Sequence, residues 1–284
     1  MKNGNAGRRK TNEHGENETT NGMKILIDKK YEHLRPFITT IPQLMASTQG
    51  TTIHDARNLI KTFCTEGLVL NVKRYHRPAM PNLLVYSSGL RKPKGLRAYQ
   101  YATVLLNHGV ETPAPVAYIE ERNAIGILGY SYFVSLHCPY SHRLYEFGNA
   151  PEGTYEAFSV ALAAFTAHMH NEGILHRDYS PGNILWDMGE QAPAVGTDGN
   201  KPSPFRFSVV DINRMSFGPV DMKTGCRNFA RLWGPKHMIQ FIVRTYAGQR
   251  GYDVDEAERI ALDARARFWK RFSRRHTVKF NLEL

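Results

Sequence analysis

The stretch from Ile174 to Asp187, ILHRDYSPGNILWD, constrains this chain more than any other. His176-Arg177-Asp178 is followed after four residues by Asn183 and then by the apolar run Ile184-Leu185-Trp186. A turn-rich segment running into a short apolar one reads as a loop leading into a buried strand. Two polar side chains at this spacing suit one chemistry. A carboxylate takes or orients the proton of an attacking hydroxyl, and a side-chain amide a few residues on ligates a metal ion that holds phosphates. Asp178 fits the first role and Asn183 the second. Asp, Ser, Pro, Gly and Asn also build ordinary turns, so the assignment leans on partner motifs elsewhere.

One partner is Asp211. Phe205 to Ile212, FRFSVVDI, reads as a strand whose end presents this carboxylate, where a second oxygen ligand for the same metal is needed. Another is Lys73, carried by the alternating segment Gly67 to Tyr75, GLVLNVKRY, and suited to pairing with phosphates. Thr51 to Lys61 is a second strand-forming segment. A phosphate-cradling loop is expected between the first two strands, and Gln49-Gly50-Thr51-Thr52 offers it a single glycine instead of G-x-G-x-x-G. Leu96 to His108, LRAYQYATVLLNH, has helical spacing and is stopped by Gly109. That helix should supply a glutamate to fix the strand lysine, yet no Asp or Glu stands between Glu66 and Glu111. Gln100 is the polar residue best placed to substitute; a glutamine can hydrogen-bond Lys73 but cannot neutralise it.

At 284 residues the chain is long enough for one large domain or two lobes. Residues 1–22 are almost free of apolar side chains and are expected to be disordered, with Met23, where alternation begins, a candidate translation start. Short strands with one helix dominate residues 23–137. Ile127 to Leu136 reads as a buried strand, and Cys138-Pro139-Tyr140 breaks it, placing a boundary there. Residues 138–284 read as mainly helical, with helices expected over Thr154 to Asn171, from Arg227, and over Val254 to Phe272, and a loop from Met188 to Pro204. The fold class is therefore α+β in two lobes.

A formal net charge of +11 asks for an anionic partner. The cations gather in the acid-free stretch, as Lys73, Arg74, Arg77, Arg91, Lys92, Lys94 and Arg97, and near the C-terminus. There Arg265, Arg267, Lys270, Arg271, Arg274 and Arg275 interleave with Phe268, Trp269 and Phe272. Each group reads as a solvated face or as a patch for an acidic ligand or membrane surface. No nucleic-acid module is recognisable. Cys64, Cys138 and Cys226 form no C-x-x-C pair and are odd in number, which suits a reducing compartment. With no bilayer-length apolar run and no signal-peptide core, the expectation is a cytoplasmic protein, attached at most to a membrane surface.

These motifs resemble the lipopolysaccharide kinase family, the Kdo and heptose kinases of Gram-negative bacteria, which have an atypical protein-kinase-like fold. The resemblance runs from Met23 to the C-terminus and rests on LVLNVKRY, GVETPAPVAYIE, SYFVS, ILHRDYSPGNIL and VVDINRM. It implies ATP- and Mg2+-dependent phosphorylation of a sugar hydroxyl, Kdo first among them, in the lipid A and inner-core region, at the cytoplasmic face of the inner membrane. Residue by residue it implies that Lys73 holds phosphates, that Asp178 is the catalytic base, and that Asn183 and Asp211 hold magnesium. Asp211 is followed by Ile212-Asn213 where protein kinases have Phe-Gly, no A-P-E sequence follows, and a helix soon resumes. A peptide-binding platform has no room, which favours a non-protein acceptor. The alternatives are another small-molecule or protein kinase on the same scaffold, or a pseudokinase that binds without transferring.

Overall fold

Polar–apolar alternation in the first half of the chain becomes an antiparallel sheet of seven strands: β1 (Glu18–Thr20), β2 (Met23–Ile27), β3 (Thr51–Asp55), β4 (Leu59–Thr65), β5 (Leu68–Tyr75), β6 (Pro115–Arg122) and β7 (Leu128–Leu136). Their order is β1-β2-β6-β7-β5-β4-β3. The computed structural model describes residues 18–20, 22–189 and 203–283. They form a mixed α/β protein of two compact units, the first holding the described residues up to Tyr99 and Pro115–Leu136, the second Gln100–Ala114 and the described residues from His137 onward.

In the first unit Leu70 and Val72 of β5 are fully buried while Asn71 and Lys73 are half-buried, the period-two pattern of a strand with one packed face. A 3-10 turn (Lys29–Leu34) and the short helices α1 (Arg35–Ile38) and α2 (Ile41–Ala46) cover that face, packing Leu34, Ile38, Ile41 and Met45 against Ile25, Leu70, Val72 and Val134. These helices, and α3 (Asn82–Ser87), fall where strands and a single helix were expected. The strand-forming segment from Thr51 to Lys61 spans two strands turning at Ala56-Arg57-Asn58, and Gln49-Gly50 precedes that hairpin. Lys61, on the packed face of β4, is 5% exposed and donates from Nζ to the Ser47 and Gln49 carbonyls at 2.5 and 3.2 Å. Of the expected disordered tail, Glu18–Thr20 pair with β2 and residues 1–17 lie outside the described residues. The chain passes between the units after Tyr99, inside α4 (Lys94–Asn107), after Ala114 and after Leu136.

The second unit is built on α5 (Glu156–Asn171), buried nearly all round as an apolar helix of this kind must be. Around it lie β8 (His142–Arg143), β9 (Ile174–His176), β10 (Ile184–Met188), β11 (Phe205–Val209) and β12 (Met215–Phe217), in sheets ordered β11-β10-β8 and β12-β9. Three helices complete it: α6 (Met222–Asn228), α7 (Lys236–Gln249) and α8 (Val254–Phe272). Gly173 ends α5 at φ +69, and a Cβ there would lie 3.0 Å from the Gly218 carbonyl, so only glycine fits this turn into β9. The helix expected from Arg227 starts at Met222, where Asp221 accepts from the Thr224 amide. Most of the loop expected over Met188 to Pro204 lies outside the described residues.

Candidate active site

Asp178 and Asn183 lie on the loop between β9 and β10. Tyr179 anchors it: fully buried, its hydroxyl lies 2.8 Å from Thr166 Oγ1 of α5. Asn183 ties the loop together, its Nδ2 donating to the Asp178 carbonyl at 2.9 Å, while its own carbonyl accepts from the Val210 amide at 3.0 Å. Since Val210 precedes Asp211, one residue joins both carboxylate-bearing segments. His176 joins them again. Its Nε2 lies 3.0 Å from the Val210 carbonyl and its Nδ1 accepts from the Asp178 amide at 3.1 Å, so the tautomer protonated on Nε2 satisfies both. Burial pushes the His176 pKa down, and the Val210 carbonyl and the Asp178 and Asp211 carboxylates pull the other way. A neutral, buried imidazole is thus the pillar between two acids.

Asp211 adopts φ 57 and ψ 41, a left-handed conformation that costs a non-glycine residue about 1 kcal/mol. Asn213 holds it there, Nδ2 donating to Asp211 Oδ1 at 2.5 Å. Such strain persists where surrounding contacts over-determine it and gathers at functional sites. For a divalent metal, the oxygen donors here are the Asp211 carboxylate and Asn183 Oδ1, which the Nδ2 bond leaves to accept. Among the described residues no three His, Cys, Asp or Glu side chains are grouped to hold a metal. Two hard oxygens still fit magnesium, which is commonly held by one or two protein groups plus substrate phosphates and water.

Arg231 and Arg214 hold the Asp178 carboxylate: Arg231 donates from Nη1 to Oδ1, and Arg214 Nη1 lies 3.6 Å from Oδ2. Asp178 is only 18% exposed. Sequence reading missed Arg231, which carries no motif and meets Asp178 only through the fold. Arg265 corrects the C-terminal patch. At 1% exposure it lies inside, donating to the Leu232 and Gly234 carbonyls at 2.7 Å each, and Trp269 is buried with it; Arg267, Lys270, Arg271, Arg274 and Arg275 remain exposed. Lys73 is on β5 in the first unit, its Nζ 5.3 Å from the Tyr75 ring centroid, and half-buried Gln100 is on α4 in the second.

Behind the loop, Asn228 donates to the His176 carbonyl at 3.0 Å, and its Oδ1 lies 3.3 Å from His170 Nε2; His170 Nδ1 lies 2.8 Å from the Tyr246 hydroxyl. Burial lowers the His170 pKa to about 4, with Arg250 adding to the shift and Asn228 opposing it. A histidine near 6.5 unfolded and about 4 folded takes up its proton first in the unfolded chain. Its contribution is therefore complete above pH 6.5 and is lost as pH falls towards 4, about 3 kcal/mol in all. Urea unfolding across that range should show stability falling with acid, and His170→Gln should flatten part of the slope. An identical slope in the variant would remove His170 from this account.

No helix among the described residues is long and apolar enough to cross a membrane. No family model matches the sequence, and no curated protein matches it. The solved structure of WaaP in complex with acyl carrier protein is similar in fold, with a TM-score of 0.56 at 18% identity, over 88% of this chain and 98% of that one. In all, 802 solved chains match, so the fold is widespread and does not by itself select an activity.

Proposed function

We propose that this chain is a kinase of two-lobe, protein-kinase-like architecture that transfers the γ-phosphoryl group of ATP to a sugar of the lipid A and inner-core region of lipopolysaccharide, with Kdo as the acceptor. The observation that carries the reading is the joint Asn183 makes between the Asp178 loop and the strand ending in Asp211. The likeness in fold to WaaP and the motif resemblance support it. In this reading Asp178 takes the proton of the acceptor hydroxyl, Lys73 steadies the ATP phosphates, Gln100 adds a polar group to nucleotide binding, and Asn183 and Asp211 hold Mg2+. When bound, the metal neutralises charge on the phosphates. The protein's own contribution is positioning: the neutral His176, the Asn183 amide and the strained Asp211 fix the acids before substrate arrives. The net charge of +11 suits an acceptor bearing carboxylate and phosphate groups at an anionic inner-membrane surface, with the protein peripheral on its cytoplasmic face.

The test is incubation with γ-labelled ATP, Mg2+ and either a Kdo-bearing lipid A precursor or generic protein acceptors. Label is expected on the sugar. Label on protein would move the chain to another kinase class. Binding of Mg-ATP without transfer to any acceptor would favour the second reading, a pseudokinase, which the acid-free stretch from Glu66 to Glu111 motivates.

A further inference from the structure

Beside the loop carrying Asp178 the second unit contains a cavity of about 430 Å³, lined among others by Tyr145, Phe147, Pro151, Thr154, Trp233 and Lys279. Two walls connect it to Asp178. The first is Tyr145, which packs on the loop itself: a Cβ built on Gly182 would lie 3.0 Å from the Tyr145 hydroxyl and 3.2 Å from its ring. The second is Trp233, edge-on to Tyr145 with ring centroids 4.5 Å apart. Trp233 follows two residues after Arg231, whose guanidinium holds Asp178, and Arg265 grips the carbonyls on either side of Trp233. The segment from Arg231 to Gly234 is thereby one pinned piece with a cation on the acid at one end and an aromatic wall at the other.

Hydrogen bonding at Arg231 is incomplete: its Nε is buried without a hydrogen-bond partner, and a second oxyanion would satisfy it. We propose that this cavity is the acceptor site, that Tyr145 and Trp233 cover the apolar face of a sugar ring, and that Arg231, with Lys279 at the cavity, receives the carboxylate of a sugar acid. The inference rests on the kinase reading and adds a condition to it. An arriving carboxylate draws the Arg231 guanidinium off Asp178, so the base is uncovered only when acceptor is present. The acceptor oxygen then forms its bond to the γ-phosphorus, the bond from that phosphorus to the bridging oxygen breaks, ADP leaves with the electron pair, and the hydroxyl proton passes to Asp178. Pocket size and the mixture of aromatic walls with a few charged groups are those of small-molecule sites.

The probes are the methyl glycoside of Kdo and its methyl ester, which offer the same hydroxyls and differ by one charge. With the full chain, KM for the acid should lie about 10- to 100-fold below that for the ester, as loss of a charged hydrogen-bonded pair implies. Arg231→Ala should bring the ratio towards one and raise ATP hydrolysis without acceptor, since water then meets an uncovered Asp178. Lys279→Ala, at an exposed position, should shrink the ratio without disturbing the fold. Trp233→Leu should raise KM for acid and ester alike, and Trp233→Phe should not. If Asp178→Ala is inactive but the ratio stays unchanged in both cation variants, this inference is wrong while the kinase reading stands. Full turnover in Asp178→Ala would instead remove the reading beneath it.

Discussion

Asp178→Ala should lower phosphate transfer about 10²- to 10⁴-fold, the range that positioned acid–base groups contribute, while leaving Mg-ATP affinity within a factor of a few. The separation follows from the geometry. The carboxylate of Asp178 is engaged by Arg231 and Arg214, whereas its backbone carbonyl and amide hold Asn183 and His176. Truncation removes the side chain and keeps both backbone bonds, so the groups assigned to metal and nucleotide stay where they are. Coupled measurement of ADP release gives the turnover and a thermal-shift titration gives the binding. Undiminished turnover would take the base assignment from Asp178.

Arg265→Ala carries the largest expected stability effect, about 3–5 kcal/mol, because it strands two buried carbonyls and opens a cavity together. Burial lowers the Arg265 pKa to about 10, and the side chain stays a charged donor to Leu232 and Gly234 at neutral pH. Loss on that scale is a large share of the 5–15 kcal/mol that holds a typical domain together. Arg265→Met should recover the part due to volume and not the part due to hydrogen bonds. Urea midpoints for the three proteins give the comparison, and a loss under about 1 kcal/mol in the alanine variant, the level of an ordinary substitution, would mean the carbonyls find other partners. Because the pinned segment carries Arg231, either variant should also loosen the contact with Asp178.

What could be read from the sequence divides along physical lines. Asp178, Asn183 and Asp211 stood out because short spacing and strand ends place them, and local chain geometry is what a sequence encodes most directly. Lys61 was also legible in principle: it shares the parity of Leu59 and Phe63 on β4, so a strand that buries those two must bury it. Arg265 likewise falls on the stripe Ala257, Ala261, Trp269, spaced by four along α8, which marks it as inward despite its charge. Both were passed over by the rule that Lys and Arg stay outside, a rule that yields when backbone carbonyls offer enough acceptors. Arg231 had no such signal, since only the meeting of α6, its following 3-10 turn and the β9–β10 loop brings it to Asp178. The hairpin at Ala56-Arg57-Asn58 went unseen because it turns without glycine or proline.

The central claim is that Asn183 and Asp211 hold a metal-bound nucleotide beside Asp178, and the direct measurement is calorimetric titration of the intact chain with ATP, with and without Mg2+, before and after Asp211→Ala. The account predicts binding that strengthens at least about tenfold with Mg2+ in the native chain and loses that dependence in the variant, with the melting temperature little changed. Affinity indifferent to Mg2+ in the native chain, or a dependence that survives loss of the Asp211 carboxylate, would contradict it.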